Sequence, residues 1–540
     1  MTRTDAPSHP PEVPADATVG QDPPEGGFPT ALVAPLLSAA GLGAYLLVPG
    51  VRAHPVLFPT FLAVVGIILG WTAWVWLSAR QADEALTLKV AIRKPHYIQL
   101  VAQGSVLVYW GWWVRSVYDF SPLILAQILV AVAMDALLNL HRRRHWNLGV
   151  GAVPVVFSIN LFLWFTVPYF YFQFLMIPVV YLGKEFLRRE WNGRNTHVFN
   201  PSAFALAVAA VLLIVTGSTD ITQGVAIADT QNIPPFIYVA IFAAALPGQW
   251  FFGVATMTMT AVITMCVFGE VWLQTTGAYF FYDAYVPIAV FLGMHLLFTD
   301  PATSPRTEGG RVLWGILYAA GVLGSVPLLE AAGAPTFYDK LLPVPLLNLI
   351  APQMDAAALA VIARVKALEP LEIRADARRA KVTTGIWIAV FAGFTAVGWL
   401  GDDHPGQYLP YWEEACAAGN GRACDYLPVM QQNYCDRGSG WACNEFGVFR
   451  ARYDGDLQGA MGEFERACTR GSEAGCANRA RLLAGEALIQ EEPPLEELPI
   501  LLRGSKGPVT ETRPEALLAL GCERGWDELC ARRRATPEGG

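Results

Sequence analysis

Apolar runs long enough to cross a membrane recur along this chain from Thr30 to Leu400. A helix needs roughly 17–25 mostly apolar residues to cross the hydrocarbon core of a bilayer. The composition agrees, because 54% hydrophobic and only 16% charged residues over 540 positions are too apolar for a soluble protein of this length. The runs predict spans at 31–50, 55–79, 98–117, 121–140, 149–168, 170–187, 199–217, 234–246, 250–272, 284–299, 311–329, 341–363 and 383–400.

The two ends of the chain differ from this apolar middle. Residues 1–27 are rich in Pro, Asp and Glu and lack the positive segment of a cleaved signal, so we expect a disordered tail ahead of a retained first helix. Residues 28–400 hold the apolar runs, and residues 401–540 are polar and contain most of the cysteines. The expected fold class is all-α: a transmembrane bundle of about 10–13 helices followed by a soluble helical domain.

The positive charges indicate how the bundle is oriented. Lys and Arg are concentrated at 80–94, 141–145, 183–194, 304–311 and 364–381, whereas the loops 217–235 and 269–284 contain neither. Loops rich in Lys and Arg remain in the cytoplasm, so the basic stretch before the last span places residues 401–540 outside. We therefore expect a bacterial inner-membrane protein with a periplasmic C-terminal domain. A net charge of −8 with no clustered basic face argues against a nucleic-acid partner.

Eight of the nine cysteines share one spacing, C-x-x-G-x-x-x-x-C. The glycine supplies a left-handed residue that ends a helix, so the frame predicts a helix end, a tight turn and the start of the next helix. The two cysteines then face each other closely enough for a disulfide. Zinc is the rival interpretation, but its usual C-x₂₋₄-C spacing is not present, and the sequence contains no haem or iron–sulfur motif. The predicted disulfides are Cys416–Cys424, Cys435–Cys443, Cys468–Cys476 and Cys522–Cys530.

These frames resemble the cysteine-rich kind of Sel1-like repeat over about 408–534, with 33 residues between Cys435 and Cys468. The resemblance implies an α-solenoid of disulfide-stapled helix hairpins that binds other macromolecules, here a periplasmic protein or another cell-envelope partner. The stretch EEPPLEELPILLRGSKGPVTETRPE at 491–515 interrupts the regularity and predicts an inserted loop.

Two polar motifs interrupt the apolar runs. The first, GRNTHVFNPSAFALAV at 193–208, places a capping amide and a proline at the start of a helix. The second, TDPATSPRTEGGR at 299–311, breaks another apolar run. Polar, proline-broken segments at membrane depth are tolerated where they line a cavity or pack inside protein. We therefore expect one central polar region containing Asn200, Pro201, Ser202, Thr299, Asp300, Pro301 and Thr303.

Together with GKEF and YDKLLPVPLLN, these motifs resemble the RnfD/NqrB family of membrane subunits over about Ile92–Asp355. The resemblance implies about ten core helices in two related halves. It also implies a subunit of an ion-translocating electron-transport complex that works beside other subunits, in contact with membrane lipid, and couples electron transfer to movement of Na⁺ or H⁺.

Several members of that family hold FMN covalently through a threonine on an outer loop. The corresponding loop here reads VAIADTQNI, which makes Thr230 the matching attachment residue. Asp229 stands where a small residue is expected, and its charge would repel an approaching phosphate. The alternative is a family member that keeps the scaffold without this flavin.

Other polar residues inside the spans include Asp135 and His295. A carboxylate within an apolar run is costly unless it faces a partner or a wet path, so Asp135 is either functional or paired locally with Asn139 or Arg142. His295 is expected to form a hydrogen bond between helices. The sequence shows no constellation of a self-contained enzyme. Besides the redox subunit, a non-redox scaffold or small-solute channel of the same helical plan stays open.

Overall fold

The computed structural model describes residues 29–191, 193–364, 377–401, 404–503 and 509–535. These residues are mostly helical, and the predicted tail at 1–27 lies outside them. The described part of the chain begins with a 3-10 turn (Thr30–Leu32), followed by α1 (Val33–Tyr45), α2 (Pro49–Arg52), α3 (Leu57–Gln81) and the strand β1 (Thr87–Val90). Helices α1 and α3 pack against each other and against the long helix α5 described next.

The core of the described bundle contains two sets of five helices, each with a nine-residue helix in third place. The first set is α4 (Lys94–Trp113), α5 (Arg115–Arg143), α6 (Ala152–Asn160), α7 (Tyr171–Phe186) and α8 (Pro201–Thr216). After α9 (Gly224–Gln231), the second set is α10 (Ile237–Phe252), α11 (Ala255–Thr276), α12 (Ile288–Leu296), α13 (Glu308–Ala331) and α14 (Pro343–Ile362). In each set, two long helices are followed by a nine-residue helix and two more long helices.

The two sets run in opposite directions. The Tyr109 hydroxyl, near the end of α4, donates a hydrogen bond to the carbonyl of Pro235, just before α10 begins. The end of α4 therefore lies beside the start of α10, and these two helices pack together.

Five helices are long and apolar enough to cross a membrane within the described residues. They are Leu57–Gln81, Arg115–Arg143, Ala255–Thr276, Glu308–Ala331 and the continuous segment Thr336–Ile362. Three shorter apolar helices are Thr30–Tyr45, Pro201–Thr216 and Ile237–Phe252. The predicted spans at 234–246 and 250–272 are two helices, and the break between them lies at Gly253, which has a positive φ.

The predicted spans at 149–168 and 284–299 are wrong as full-length helices. Each contains a helix of only nine residues, α6 or α12, which rises about 14 Å and cannot cross a bilayer alone. Both helices are largely buried, and the apolar chain beyond each continues without helix inside the protein. Hydropathy detects the apolar composition of such a segment and does not report its conformation.

Four short strands depart from the all-α expectation. Strand β1 pairs in parallel with β2 (His145–Leu148), and β3 (Arg188–Trp191) pairs antiparallel with β4 (Arg194–His197). Pairing satisfies the backbone groups of these connections at the end of the bundle that we call the basic end. There Glu185 accepts hydrogen bonds from Arg142 at 2.7 Å and from Arg143, so two of the predicted basic loops meet.

After α15 (Ala377–Ala396), the C-terminal segment forms a set of short helices that we call the repeat domain. Its helices are α16 (Leu409–Ala417), α17 (Gly421–Asp436), α18 (Gly440–Phe449), α19 (Leu457–Thr469), α20 (Glu473–Ala484), α21 (Leu498–Leu501), α22 (Pro514–Glu523) and α23 (Asp527–Ala535). All four predicted disulfides are confirmed, each joining the end of one helix to the first turn of the next.

The predicted turn geometry of these frames is also confirmed. The glycine at the fourth position has a positive φ in every frame, between 87° and 112°. In three frames the following residue caps the next helix, because Asn420, Ser439 and Ser472 each accept a backbone N–H. The predicted inserted loop at 491–515 is partly wrong, since α21 lies within it and buries Leu498 and Leu501 completely.

The repeat domain contacts the bundle at the end opposite the basic end. The loop 277–287 between α11 and α12, which we call the docking loop, presents backbone carbonyls to it. Phe280 O accepts from the Arg422 guanidinium at 2.6 Å and from the Tyr426 hydroxyl at 2.8 Å. Asp283 O accepts from the Gln407 amide at 2.9 Å. These bonds hold the first repeat helices directly on the membrane domain.

Candidate functional site

Asn200 organises the first polar motif. Its side-chain oxygen accepts from the backbone N–H groups of Ser202 and Ala203 at 3.1 and 3.2 Å, so it caps α8 as predicted. Pro201 follows as the first helical residue, where the missing N–H costs nothing. The remaining polar groups of Asn200 point away from α8, and the residue is buried.

The second motif is arranged around Asp300. Its carboxylate accepts from the Ala302 N–H at 3.1 Å, from the Thr303 hydroxyl at 3.0 Å, and lies 3.4 Å from Nε2 of His197. Thr299 donates its hydroxyl to the carbonyl of His295 at 3.0 Å, which satisfies an acceptor at the end of α12. In this loop after α12, side chains therefore supply hydrogen bonds that a continued helix would have formed along its backbone.

The two motifs lie side by side. Asn200, Ser202 and Thr303 are buried, whereas Pro201, Thr299, Asp300 and Pro301 are half-buried. The Asn200 side-chain amide donates to the carbonyl of Leu297 at 2.6 Å, and its backbone N–H donates to Oδ1 of Asn348 at 3.0 Å. The Asn348 amide in turn donates to the carbonyl of Thr303 at 3.3 Å. We call this set of contacts the polar junction. It connects α8 of the first set with α12 and α14 of the second.

Sequence reasoning gave no role to Asp355, which fixes the same loop from α14. Its carboxylate accepts from the N–H groups of Arg306 and Thr307 and, at 2.7 Å, from the Thr307 hydroxyl. A lone carboxylate in an apolar helix was the available signal, because such a group needs a partner. Arg311, predicted as a charge of the cytoplasmic loop, is instead buried and pairs with Glu308 at 2.6 Å.

Asp135 and His295 have local partners. The Asp135 carboxylate accepts from the Trp146 indole N–H at 2.8 Å, and Asn139 donates to the Asp135 backbone carbonyl. Asp135 is therefore paired locally, as one of the two interpretations held, but its carboxylate binds Trp146. Arg142, one of the expected partners, pairs with Glu185 instead. His295 is buried and its Nδ1 lies 2.7 Å from the carbonyl of Phe291 in the same helix, so this contact is not the bond between helices that we expected.

Thr230 lies in a cavity of about 330 Å³ between the membrane domain and the repeat domain. Asp229, Thr230 and Asp283 line it from the membrane side, and Arg437 and Arg503 line it from the repeat side. The Thr230 hydroxyl donates to the carbonyl of Ile227 at 3.0 Å within α9. We call this space the Thr230 cavity. The sequence could not reveal that the repeat domain contributes half of its walls.

The charges of the Thr230 cavity influence one another. Burial, together with the negative charge of Asp229, raises the pKa of Asp283 to about 6. Burial also lowers the pKa of the Arg503 guanidinium, and the neighbouring charge of Arg437 acts in the same direction. Two guanidinium groups in one cavity with a hydroxyl fit a phosphate ester, whereas the three carboxylates that line it, Asp229, Asp283 and Asp436, oppose it.

Comparisons with protein-family models, with curated proteins and with solved structures found no match to this chain. Over its described residues, the chain is a helical protein with five helices long and apolar enough to span a membrane and a disulfide-stapled domain at one end.

Proposed function

We propose that this chain is the integral membrane subunit of an Rnf/Nqr-type electron-transport complex, coupling electron transfer to movement of Na⁺ or H⁺. The observation that carries the proposal is the polar junction, where the two motif loops that resemble this family meet through Asn200, Leu297 and Asn348. Two oppositely directed helix sets around one polar, non-helical centre are an arrangement used by ion-coupled membrane proteins.

The Thr230 cavity supports a redox role for the side that carries the repeat domain. A flavin bound there would accept electrons and pass them on singly. Thr230 would hold its phosphate as an ester, and Arg437 and Arg503 would balance the phosphate charge. Asp229, next to the hydroxyl, favours the alternative of a scaffold without this flavin.

A non-redox scaffold or small-solute channel is the second candidate. It is favoured by buried amide pairs beside the half-length helix α6: Gln127 and Asn160 exchange hydrogen bonds, and Gln103 donates to Ser158 at 2.7 Å. Polar side chains at such a position are what a solute path between broken helices requires.

Purification of the protein from its native host in mild detergent tests the proposal. We expect subunits that carry redox cofactors to co-purify with the chain. A chain that purifies alone, or only with proteins that carry no redox cofactor, would contradict the redox role and leave the second candidate.

Fluorescence of the denatured band under ultraviolet light tests the flavin separately. If Thr230 carries FMN, Thr230→Ala removes the fluorescence and leaves the protein level unchanged, whereas Thr219→Ala in the same loop region does not. An unmodified peptide covering Thr230 in mass spectra, with no heavier form, would rule out the covalent flavin but not the complex.

We also propose a bacterial inner-membrane location with the repeat domain in the periplasm, where it docks a protein or another cell-envelope component. Four disulfides persist in an oxidising compartment, and the basic loops lie at the other end of the bundle. After mild reduction, a membrane-impermeant thiol reagent should label the repeat cysteines in cells whose inner membrane is intact. Labelling only after lysis would reverse this orientation.

A further inference from the structure

A second cavity lies wholly inside the repeat domain, between α16, α17, α18, α23 and the segment at 490–492. Its volume is about 460 Å³. Five carboxylates and one guanidinium line it: Glu413, Glu445, Glu491, Glu492, Glu528 and Arg452. We call it the acidic cavity. It is separate from the Thr230 cavity and shares no lining residue with it.

Two of these carboxyl groups are held close to like charges. Burial, together with the charges of Glu445 and Glu528, raises the pKa of Glu413 to about 7. Burial raises the pKa of Glu445 to about 7, although hydrogen bonds from Gln490 at 2.6 Å and from Asn444 at 3.2 Å and the charge of Arg452 act in the opposite direction. Arg452 donates to the Gln490 side chain at 2.8 Å and to the carbonyl of Leu488, so its donors are directed to these neutral acceptors. An added cation would relieve the repulsion between the carboxylates.

Two neutral polar groups in the wall also lack a partner. The side-chain oxygen of Gln431 and the indole N–H of Trp526 are buried without a hydrogen bond, in residues that are only 4% and 3% exposed. An unpaired buried polar atom is costly, so each of these groups gains from a ligand that reaches it. Gln431 offers an acceptor and Trp526 offers a donor.

Two aromatic rings contribute to the same wall. The Trp441 and Trp526 rings lie 5.7 Å apart between centroids, and indole faces attract organic cations. A metal ion is a poorer candidate, because no group of histidine, cysteine and carboxylate side chains in the described part of the chain has a metal-binding arrangement. The walls therefore suit an organic cation that also carries a hydrogen-bond acceptor.

We propose that the acidic cavity binds a lysine- or arginine-bearing segment of a partner protein. The side-chain cation lies between Glu413 and Glu445, and a backbone carbonyl of the segment accepts from the Trp526 indole. A polyamine supplies the positive charge without that carbonyl acceptor, which is why a peptide fits better. This inference deepens the docking role proposed for the repeat domain and does not depend on the redox role.

The test uses the full-length protein in detergent, with its disulfides intact. The probe is a fluorescein-labelled decapeptide of alternating lysine and serine, followed by fluorescence anisotropy. The control peptide has the same sequence with every lysine acetylated, which removes the charge and keeps the backbone. We expect the acetylated peptide to bind at least about ten-fold more weakly, and binding of the charged peptide to weaken as salt is added.

Matched variants locate the binding. Glu413→Gln combined with Glu445→Gln should weaken peptide binding at least about five-fold. The control Glu465→Gln, at an exposed glutamate on α19, should change the peptide affinity less than about two-fold. The double variant removes repulsion between carboxylates but also one of the two acceptors that Glu445 offers to Asn444 and Gln490, so thermal unfolding of the variant must show a folded repeat domain before affinities are compared. Trp526→Phe keeps an aromatic ring and removes the indole N–H, and should weaken binding about three-fold.

The pH profile separates this cavity from an ordinary acidic surface. Peptide affinity should rise between about pH 6 and pH 8, because Glu413 and Glu445 ionise in that range. Ordinary surface glutamates are already ionised there, and the double Gln variant should lose this rise.

Three results would overturn the proposal. The first is absence of peptide binding, and the second is equal binding of the charged and acetylated peptides. The third is a combination: spermidine at the same concentration as the peptide displaces it, and Trp526→Phe does not change peptide affinity. The last result would assign the cavity to a small polyamine. If redox subunits still co-purify while peptide binding fails, only this inference falls and the proposed complex stands.

Discussion

At the scale of single residues, Asn200 serves two helix sets at once. Its oxygen caps α8, its amide satisfies the carbonyl of Leu297, and its backbone N–H donates to Asn348. The partners lie away from bulk water, so losing the side chain leaves the Leu297 carbonyl and two N–H groups of α8 without replacement, whereas the backbone bond to Asn348 remains.

Replacing this amide by a hydrocarbon of similar size should be costly. Asn200→Leu removes the cap and leaves the Leu297 carbonyl without its donor, and should lower the free energy of unfolding by about 2–4 kcal/mol. Thermal unfolding in detergent measures the effect. Val215→Leu, at an exposed position of the same helix, is the control and should change little. Similar losses for the two variants would contradict the role assigned to Asn200.

The sequence alone identified some residues of the polar junction and missed others. Asn200 and Asp300 were identifiable because a polar residue before proline interrupts an apolar run. Asn348 and Asp355 were not assigned these roles, since their partners lie 148 and 49 residues away along the chain. Local patterns identify helix caps, but they do not show which distant backbone a side chain reaches.

At the scale of elements, the disulfide frames could be predicted from the sequence, whereas the lengths of the half-length helices could not. Each frame spans eight residues of sequence separation, so the local pattern contains all the information about its pairing. Helices α6 and α12 depend on neighbours for their lengths, because the apolar chain beyond Asn160 and Leu296 is buried by other helices. Composition could not distinguish that burial from contact with lipid.

Disulfides that close loops of equal length should each contribute the same free energy of unfolding, so removing any one of them should destabilise the repeat domain equally. Replacing Cys468 and Cys476 by serine should lower the free energy of unfolding of the repeat domain by about 2–3 kcal/mol in the chain-entropy model. Denaturant unfolding under non-reducing conditions measures this. The same change at Cys522 and Cys530 opens a loop of equal length, so a clearly different loss would contradict the loop-entropy account.

At the scale of the whole molecule, the two domains touch at a position where only glycine fits. A Cβ on Gly406 would overlap the backbone carbonyl oxygen of Tyr282 in the docking loop. Gly406→Ala should therefore push the repeat domain away from the docking loop and raise the rate of hydrogen–deuterium exchange in residues 276–287 by about ten-fold. Gly421→Ala, where a Cβ meets open space, is the control. Unchanged exchange in Gly406→Ala would show that the contact adapts.

The same contact should depend on pH through Asp283. Its pKa is raised to about 6 in the folded protein, so its contribution to stability is complete below the ordinary aspartate pKa and is lost as pH rises through about 6. Asp283→Asn should raise the thermal midpoint at pH 8 relative to the parent and reduce the difference between pH 5 and pH 8. Glu413 and Glu445 contribute equally to both proteins, so comparing the profiles isolates Asp283. Parallel profiles would contradict this assignment.

The repeat domain reaches the docking loop and the residue before it partly through the main chain: Thr276, Phe280 and Asp283 each offer a carbonyl oxygen to one of its side chains. The rings of Tyr279 and Tyr282 also pack against rings of the repeat domain. Every amino acid carries the same carbonyl, so mutations in this loop can accumulate during evolution without breaking these bonds, provided that the backbone path is kept. The partner side chains Asn420, Arg422 and Gln407 lack that freedom. Descendants of this protein should therefore vary more at Thr276 and Asp283, which bind through carbonyls, than at Asn420 and Gln407, which bind these carbonyls through their side chains.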